Sequence, residues 1–339
     1  MREMLQVLCG AAGVNGQTEI AQLAADYLLP LVDRVAADPL GSVIGYRSCG
    51  KPGAPAVMLE AHLDEIGFVV THVDGGGFLH VAPCGGVDRR ALPAARVAVY
   101  GDEIYPGVFC STPPHLQKEK EAEVPEIPQL GIDIGLPAEQ AREAAPAGTR
   151  VGFHKRFVPL LGSRVSSPAL DDRAGVCAVL QAMRLLKDRP LPCDVIVSLC
   201  VQEELGCRGA KAAAFTAKAD RCIAVDVSFA YVPGDDRAAC GRLGGGAMLG
   251  FSPVLDEEMT LQLQALAKEQ GIPYQPEVMG GATGTDADVI ATARAGVRTA
   301  LVSIPLQYMH TPVEVVDTAD IESVARLLAA YVQKGGDAA

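Results

Sequence analysis

Two histidines and four acidic residues stand where apolar runs of the chain give out. His62 follows APAVMLEA, Glu203 and Glu204 follow CDVIVSLCVQ, and Asp226 follows RCIAV. His310 lies in the turn after VRTALVSIP, and Asp171 lies in SPALDDRAG, just before a helical stretch. In open α/β sheets, ligands bind outside the carboxyl ends of the strands, so residues placed this way are expected to converge. Two imidazoles with several carboxylates and no thiolate suit zinc, cobalt or manganese. The set also divides between two ions, each taking one His and one terminal carboxylate while a single Asp bridges both. A water held between ions roughly 3.5 Å apart becomes a hydroxide nucleophile near neutral pH. Hydrolysis then needs a base beside that water that is not itself a ligand. The neighbours Glu203 and Glu204 can divide the two tasks, because consecutive side chains at a strand end diverge. Asp64, two residues beyond His62, is placed to accept the imidazole N–H and orient that ligand.

Taken singly, each of these residues has an ordinary reading as a solvated strand end, an acidic helix start or a turn histidine. Their joint occurrence after successive apolar runs favours the metal reading. His72, His80 and His154 lack such company and read as surface or packing residues, and His115 as a loop residue. The glycine-rich RLGGGAMLG (242–250) and GGATGTD (280–286) carry neither a GK[ST] signature nor a GxGxxG after a first strand, so they read as tight turns flooring a pocket. No serine stands in a GxSxG elbow, which leaves covalent acyl transfer without support.

The elements that must position these residues follow from hydrophobic period. The segments 54–62, 193–202, 221–227 and 297–304 read as strands buried on both faces. DDRAGVCAVLQAMRLLKD has a helical stripe of Val176, Val179, Leu180, Met183 and Leu186. DTADIESVARLLAAYVQ has another at Ile321, Val324, Leu328 and Tyr331, with Asp317 as its cap. Strand–helix alternation of this kind implies an α/β layered fold with a mostly parallel sheet. Between 68 and 157 the texture changes to Gly, Pro and short Val-rich runs, which read as a small antiparallel β-domain. The expected organisation is therefore a catalytic α/β domain in two pieces, 1–67 and 158–339, with 68–157 inserted. The charged tract 116–128 is expected to be an exposed loop of the insert.

The 339 residues are 49% hydrophobic and carry a net charge of −12. Such an acidic chain offers no basic surface for nucleic acid or anionic membrane. No apolar run reaches the roughly 18 residues of a membrane span, and the N-terminus lacks the pattern of a signal peptide. Ten cysteines are dilute in a chain of this length, fall mostly in apolar runs and include no CxxC, so they read as reduced residues of a cytoplasmic protein.

AHLDEIGF, ALDDRAG, VQEELGCRGA, the DV of AVDVS and YMHTPVE resemble, in order and spacing, the motifs of the TET-type (tetrahedral) aminopeptidases, the glutamyl/leucyl/lysyl family of co-catalytic metallopeptidases. NGQTE, PPHLQK, LGIDIG and GATGTDADVI add to the likeness, which spans nearly the whole chain. The resemblance implies a zinc-exopeptidase fold and removal of N-terminal residues from peptides. It implies two divalent metal ions per chain, zinc first, with cobalt or manganese as alternatives. By motif, His62 and Asp226 would bind one ion, Glu204 and His310 the other, and Asp171 would bridge them. Glu203 would be the catalytic base and Asp64 would support His62. The inserted domain would make dimer contacts, and dimers would assemble into a hollow tetrahedral dodecamer. Two departures are visible: Ser228 stands where the family often has Thr, and QYMHTP where RYxHSP is common. Alternative readings are a related dimetal deacylase or carboxypeptidase and a non-catalytic scaffold. A cellulase label borne by some members has little chemical basis, since glycosidases need two carboxylates flanking a sugar bond.

Overall fold

A computed structural model describes residues 1–15, 17–113, 115 and 124–335. Residues 116–123 of the charged tract therefore lie outside the described residues. Eleven strands form the main sheet: β1 (Arg34–Ala37), β2 (Val43–Arg47), β3 (Ala56–His62), β10 (Val158–Pro159), β11 (Arg164–Ser167), β12 (Asp194–Cys200), β13 (Arg221–Phe229), β14 (Ala247–Phe251), β15 (Tyr274–Val278), β16 (Arg298–Gln307) and β17 (Glu314–Asp317). A second sheet, made of β4 (Gly67–Val73), β5 (Leu79–Cys84), β6 (Arg96–Tyr100), β7 (Ile104–Phe109), β8 (Gly131–Asp133) and β9 (Arg150–Phe153), closes into a barrel.

The main sheet runs β1-β2-β12-β3-β13-β16-β17-β11-β10, with β14 joining β16 to β15. Its centre is parallel, β3 pairing with both β12 and β13 and β13 with β16, while antiparallel strands finish the edges. The continuous apolar runs of the central strands become buried on both faces because helices cover both. One face is packed by the helices Leu170–Leu186 and Thr318–Gln333, together with Arg2–Gly10, Glu19–Leu28 and Glu257–Glu269. The other carries the helices Arg208–Ala217 and Ala287–Ala291. This is the α/β fold with a small β-barrel that the strand and helix patterns predict.

The helix Leu170–Leu186 departs from its amphipathic reading in being buried around almost its whole circumference. It packs against the sheet and against the helix Thr318–Gln333, which leaves Arg184 as its exposed residue and little solvent side to keep polar. Asp317 caps that second helix as expected, accepting the Ala319 N–H at 3.0 Å. The barrel has its own core, in which Phe68 meets Phe109 and Phe153 edge-on with centroids 5.1 and 5.8 Å apart. A buried ionic knot fastens barrel to sheet. Glu65 pairs with Lys155, accepts the Gly13 N–H at 2.9 Å, and lies 3.8 Å from the fully buried Arg173. None of the ten cysteines is disulfide-bonded, and no helix among the described residues is long and apolar enough to cross a membrane.

Candidate metal centre

Parallel register places the carboxyl ends of β3, β12 and β13 side by side, and the chain beyond them supplies the site. His62 ends β3, and Glu203 and Glu204 follow β12. Asp226 lies within β13, which runs past the expected 221–227 to Phe229, so its carboxylate projects from the strand itself. Asp171 lies in the first turn of the helix Leu170–Leu186, where Asp171 and Asp172 have non-helical dihedrals and are joined by a cis peptide. His310 follows β16 in a turn where it and Tyr308 take left-handed φ values of 61° and 60°. Ala169, two residues before Asp171, and Gln202, directly before Glu203, are left-handed too, at 62° and 64°. Such conformations in residues with a Cβ concentrate where a loop is held by function-bearing contacts.

These residues meet in one cavity of about 450 Å³. The two oxygens of Asp171 face different histidines: Oδ1 is 3.1 Å from His62 Nε2, and Oδ2 is 3.3 Å from His310 Nε2. On one side His62 Nε2 is 3.8 Å from Asp226 Oδ1, and on the other His310 Nε2 is 3.6 Å from Glu204 Oε1. Ligands held at about 2.1 Å in a tetrahedron stand roughly 3.4 Å apart, so each group has the spacing and the N/O chemistry of a metal site. His62, Asp172 and Asp226 have donor atoms within 4.8 Å of one another, as do Asp171, Glu204 and His310.

The electrostatics point the same way. Burial pulls the His62 imidazole down, but Asp171, Asp64 and Asp226 outweigh it and hold its pKa well above the ordinary value. Burial likewise opposes His310, which Asp171 and Glu204 raise to about 9. Burial, reinforced by the charge of Asp171, pushes Glu204 up to about 8. Burial pushes Asp226 well up, and Glu203 up as well. Asp171 is the exception: burial is overcome by His310 and His62, which hold it below the usual carboxylate range. Carboxylates so crowded cannot all ionise without compensating positive charge, which divalent cations would supply.

Asp64 adjoins His62 and also reaches the acidic pair after β12. His62 Nδ1 faces the Asp64 backbone carbonyl at 3.2 Å, while the nearer carboxylate oxygen is 3.6 Å away. That carboxylate also accepts the backbone N–H groups of Glu203 and Glu204, at 3.0 and 3.3 Å. Beside Glu203, the Cys207 thiol donates to Oε1 at 3.5 Å.

Three contributors were not read from the chain. Glu314, 1% exposed, accepts the N–H of His310 at 3.0 Å and that of Asp171 at 3.2 Å. Its place in YMHTPVE, four residues after His310, was the available signal. Asp172, fully buried, has a carboxylate oxygen within 4.8 Å of donor atoms of His62 and Asp226, and its Oδ1 accepts the Gly175 N–H at 2.9 Å. The barrel contributes backbone: a Cβ on Gly85 would stand 2.9 Å from Glu204 Oε2, and one on Gly86 3.1 Å from His310 Nδ1. Of the two glycine-rich segments, only 280–286 reaches the cavity, through Thr283, Gly284 and Thr285. In 242–250, Gly244 and Gly246 instead donate to Asp320, at 2.8 and 2.7 Å. His72 and His80 stack on one another at 4.6 Å on the barrel.

The profile of the M42 glutamyl aminopeptidase family matches residues 41–327. The chain belongs to the M42 glutamyl aminopeptidase family. As an M42 protein it is an aminopeptidase and a metallopeptidase, as its five motifs predict. A lysyl aminopeptidase of Pyrococcus furiosus is 35% identical over 98% of this chain and 96% of its own length. An aminopeptidase of the archaeon Desulfurococcus kamchatkensis superposes with a TM-score of 0.91, at 34% identity, over 98% of this chain and 94% of that one. The TET1 peptidase of Pyrococcus horikoshii, described as able to assemble into a tetrahedron or a large octahedral shell, superposes at 0.86 with 30% identity, over 98% of each chain.

Proposed function

We propose that this M42 aminopeptidase works through two divalent ions, one held by His62 and Asp226 and the other by Glu204 and His310, with Asp171 bridging them. The observation that carries this reading is the split of the Asp171 carboxylate, one oxygen towards each histidine. Bound divalent ions supply Lewis acidity, polarising a carbonyl and lowering the pKa of water towards neutrality. Glu203 takes the proton of the attacking water and later returns it to the leaving amine. Its raised pKa, caused by burial, suits a group that must both accept and release a proton near neutrality. Asp64 positions that base and its ligand neighbour by holding both of their backbone N–H groups. Its carbonyl also keeps the Nδ1 proton of His62, leaving Nε2 free to ligate.

Zinc is the metal this N/O donor set favours, with cobalt or manganese as working substitutes. The substrates are peptides with a free N-terminus. By analogy with the TET1 peptidase, the chain forms a homo-oligomer, a tetrahedral dodecamer of dimers, with the segment 68–157 as an inserted dimerisation domain. The cytoplasm is the compartment that ten unpaired cysteines favour.

Metal analysis with a peptide assay tests the reading. Purified protein should carry two ions per chain and hydrolyse aminoacyl-nitroanilides but not their N-blocked forms. Chelation should abolish turnover and zinc, cobalt or manganese should restore it; indifference to chelator would sink the dimetal mechanism.

A further inference from the structure

Glu277 is a carboxylate in the same cavity that the proposed chemistry leaves unused. It lies on β15, and its Oε2 accepts the hydroxyl of Ser303 on β16 at 2.6 Å. Ser228 on β13 also hydrogen-bonds to it. Ser303 stands directly beside Asp226 in the β13–β16 ladder. Glu277 belongs to neither of the two groups of donors, His62 with Asp226 and Glu204 with His310, that are gathered around Asp171. Its carboxylate is therefore left for the substrate's first residue rather than for an ion.

The walls between suit a long aliphatic stem. Phe229 and Met309 line the cavity and offer apolar surface, together with Thr283 and Gly284. No Lys or Arg is among the described residues lining it, so at Glu277 an acidic side chain would meet a carboxylate with no basic side chain beside it. Burial pushes the Glu277 carboxyl up, opposed by the two serine hydroxyls, so a cation arriving there relieves an uncompensated group.

We propose that Glu277 is a specificity-determining residue that receives the cationic end of an N-terminal lysine or arginine, making the enzyme selective for peptides with a basic first residue. The four-carbon stem of lysine carries its charge along the apolar wall, and the arginine fork pairs with a carboxylate equally well. This rests on the placement of the substrate's first residue at the two ions.

The test compares lysyl-, arginyl-, leucyl- and glutamyl-nitroanilides on the metal-loaded protein and on Glu277→Gln. The amide still accepts from Ser303 and removes only the charge. Wild type should show its highest kcat/KM on lysyl and arginyl substrates. Glu277→Gln should lower those two by roughly tenfold to a hundredfold, chiefly through KM, and leave leucyl turnover within about twofold. Should the variant fold poorly, product inhibition of wild type gives the same reading, with free lysine inhibiting more strongly than leucine or glutamate. An equal loss on all four substrates, or a wild-type preference for leucyl or glutamyl, overturns the assignment of Glu277 and leaves the aminopeptidase site standing. No hydrolysis of any of the four overturns both.

Discussion

The buried carboxylate of Glu314 accepts the backbone N–H of His310 at 3.0 Å. Its second oxygen accepts the N–H of Asp171, 143 residues earlier in the chain, at 3.2 Å. One side chain thus clamps the backbones of a proposed bridging ligand and a proposed terminal ligand. Glu314→Gln turns one of these acceptors into a donor facing a donor. Metal affinity should fall by about 10- to 100-fold, the range seen when an outer partner of a ligand is removed. Competitive titration against a chelating dye checks this, and unchanged affinity would refute the clamp.

Glu203→Gln removes the proposed base and keeps the shape. We expect kcat to drop by roughly 10²- to 10⁴-fold while two ions remain bound. Turnover close to wild type would reassign the proton transfer to another group.

The pH dependence of the metal-free protein follows from the raised groups. Asp171 and Glu204 lift His310 from 6.5 to about 9 against the pull of burial, and burial with Asp171 lifts Glu204 from 4.5 to about 8. Each binds its proton more tightly folded than unfolded. The stability each contributes is therefore complete below its ordinary value and is lost as pH rises through its folded value. With chelator present, Tm should fall between about pH 5 and pH 9. With zinc present, metal replaces those protons, so affinity should rise across the same interval. A Tm independent of pH in chelator would contradict the crowding of the site.

Gly85 has φ +84°, and a Cβ there would stand 2.7 Å from Ile66 Cγ2 and 2.9 Å from Glu204 Oε2. Gly85→Ala should displace Glu204 and cut metal content along with activity. Gly53, at φ +73° with nothing within 4 Å, is the control for backbone strain alone. If both alanine variants lose stability equally and both keep their metal, the barrel does not shape the site.

The sequence alone determined the α/β layering, the central strands and the two long helices, because period-based burial is a local property of the chain. It also marked His62, Glu203, Glu204 and His310 as residues beyond strand ends, since strands buried on both faces read as unbroken apolar runs. Even there β13 ran two residues beyond the segment 221–227, because Phe229 continues the ladder beside Leu306. Only the tertiary structure decided what depends on meetings between distant segments. Asp64 was near His62 in sequence, but its carboxylate went to the N–H groups of Glu203 and Glu204, which strand pairing brought alongside. Glu314, Asp172 and Glu277 resemble ordinary charges in their local context, and their partners are supplied by other strands and turns. Gly85 and Gly86 matter because the barrel folds back onto the site, a close approach no local pattern encodes. A carboxylate's role is set by whichever donors and charges lie within about 4 Å of it, and the fold, not the neighbouring residues in the chain, chooses those.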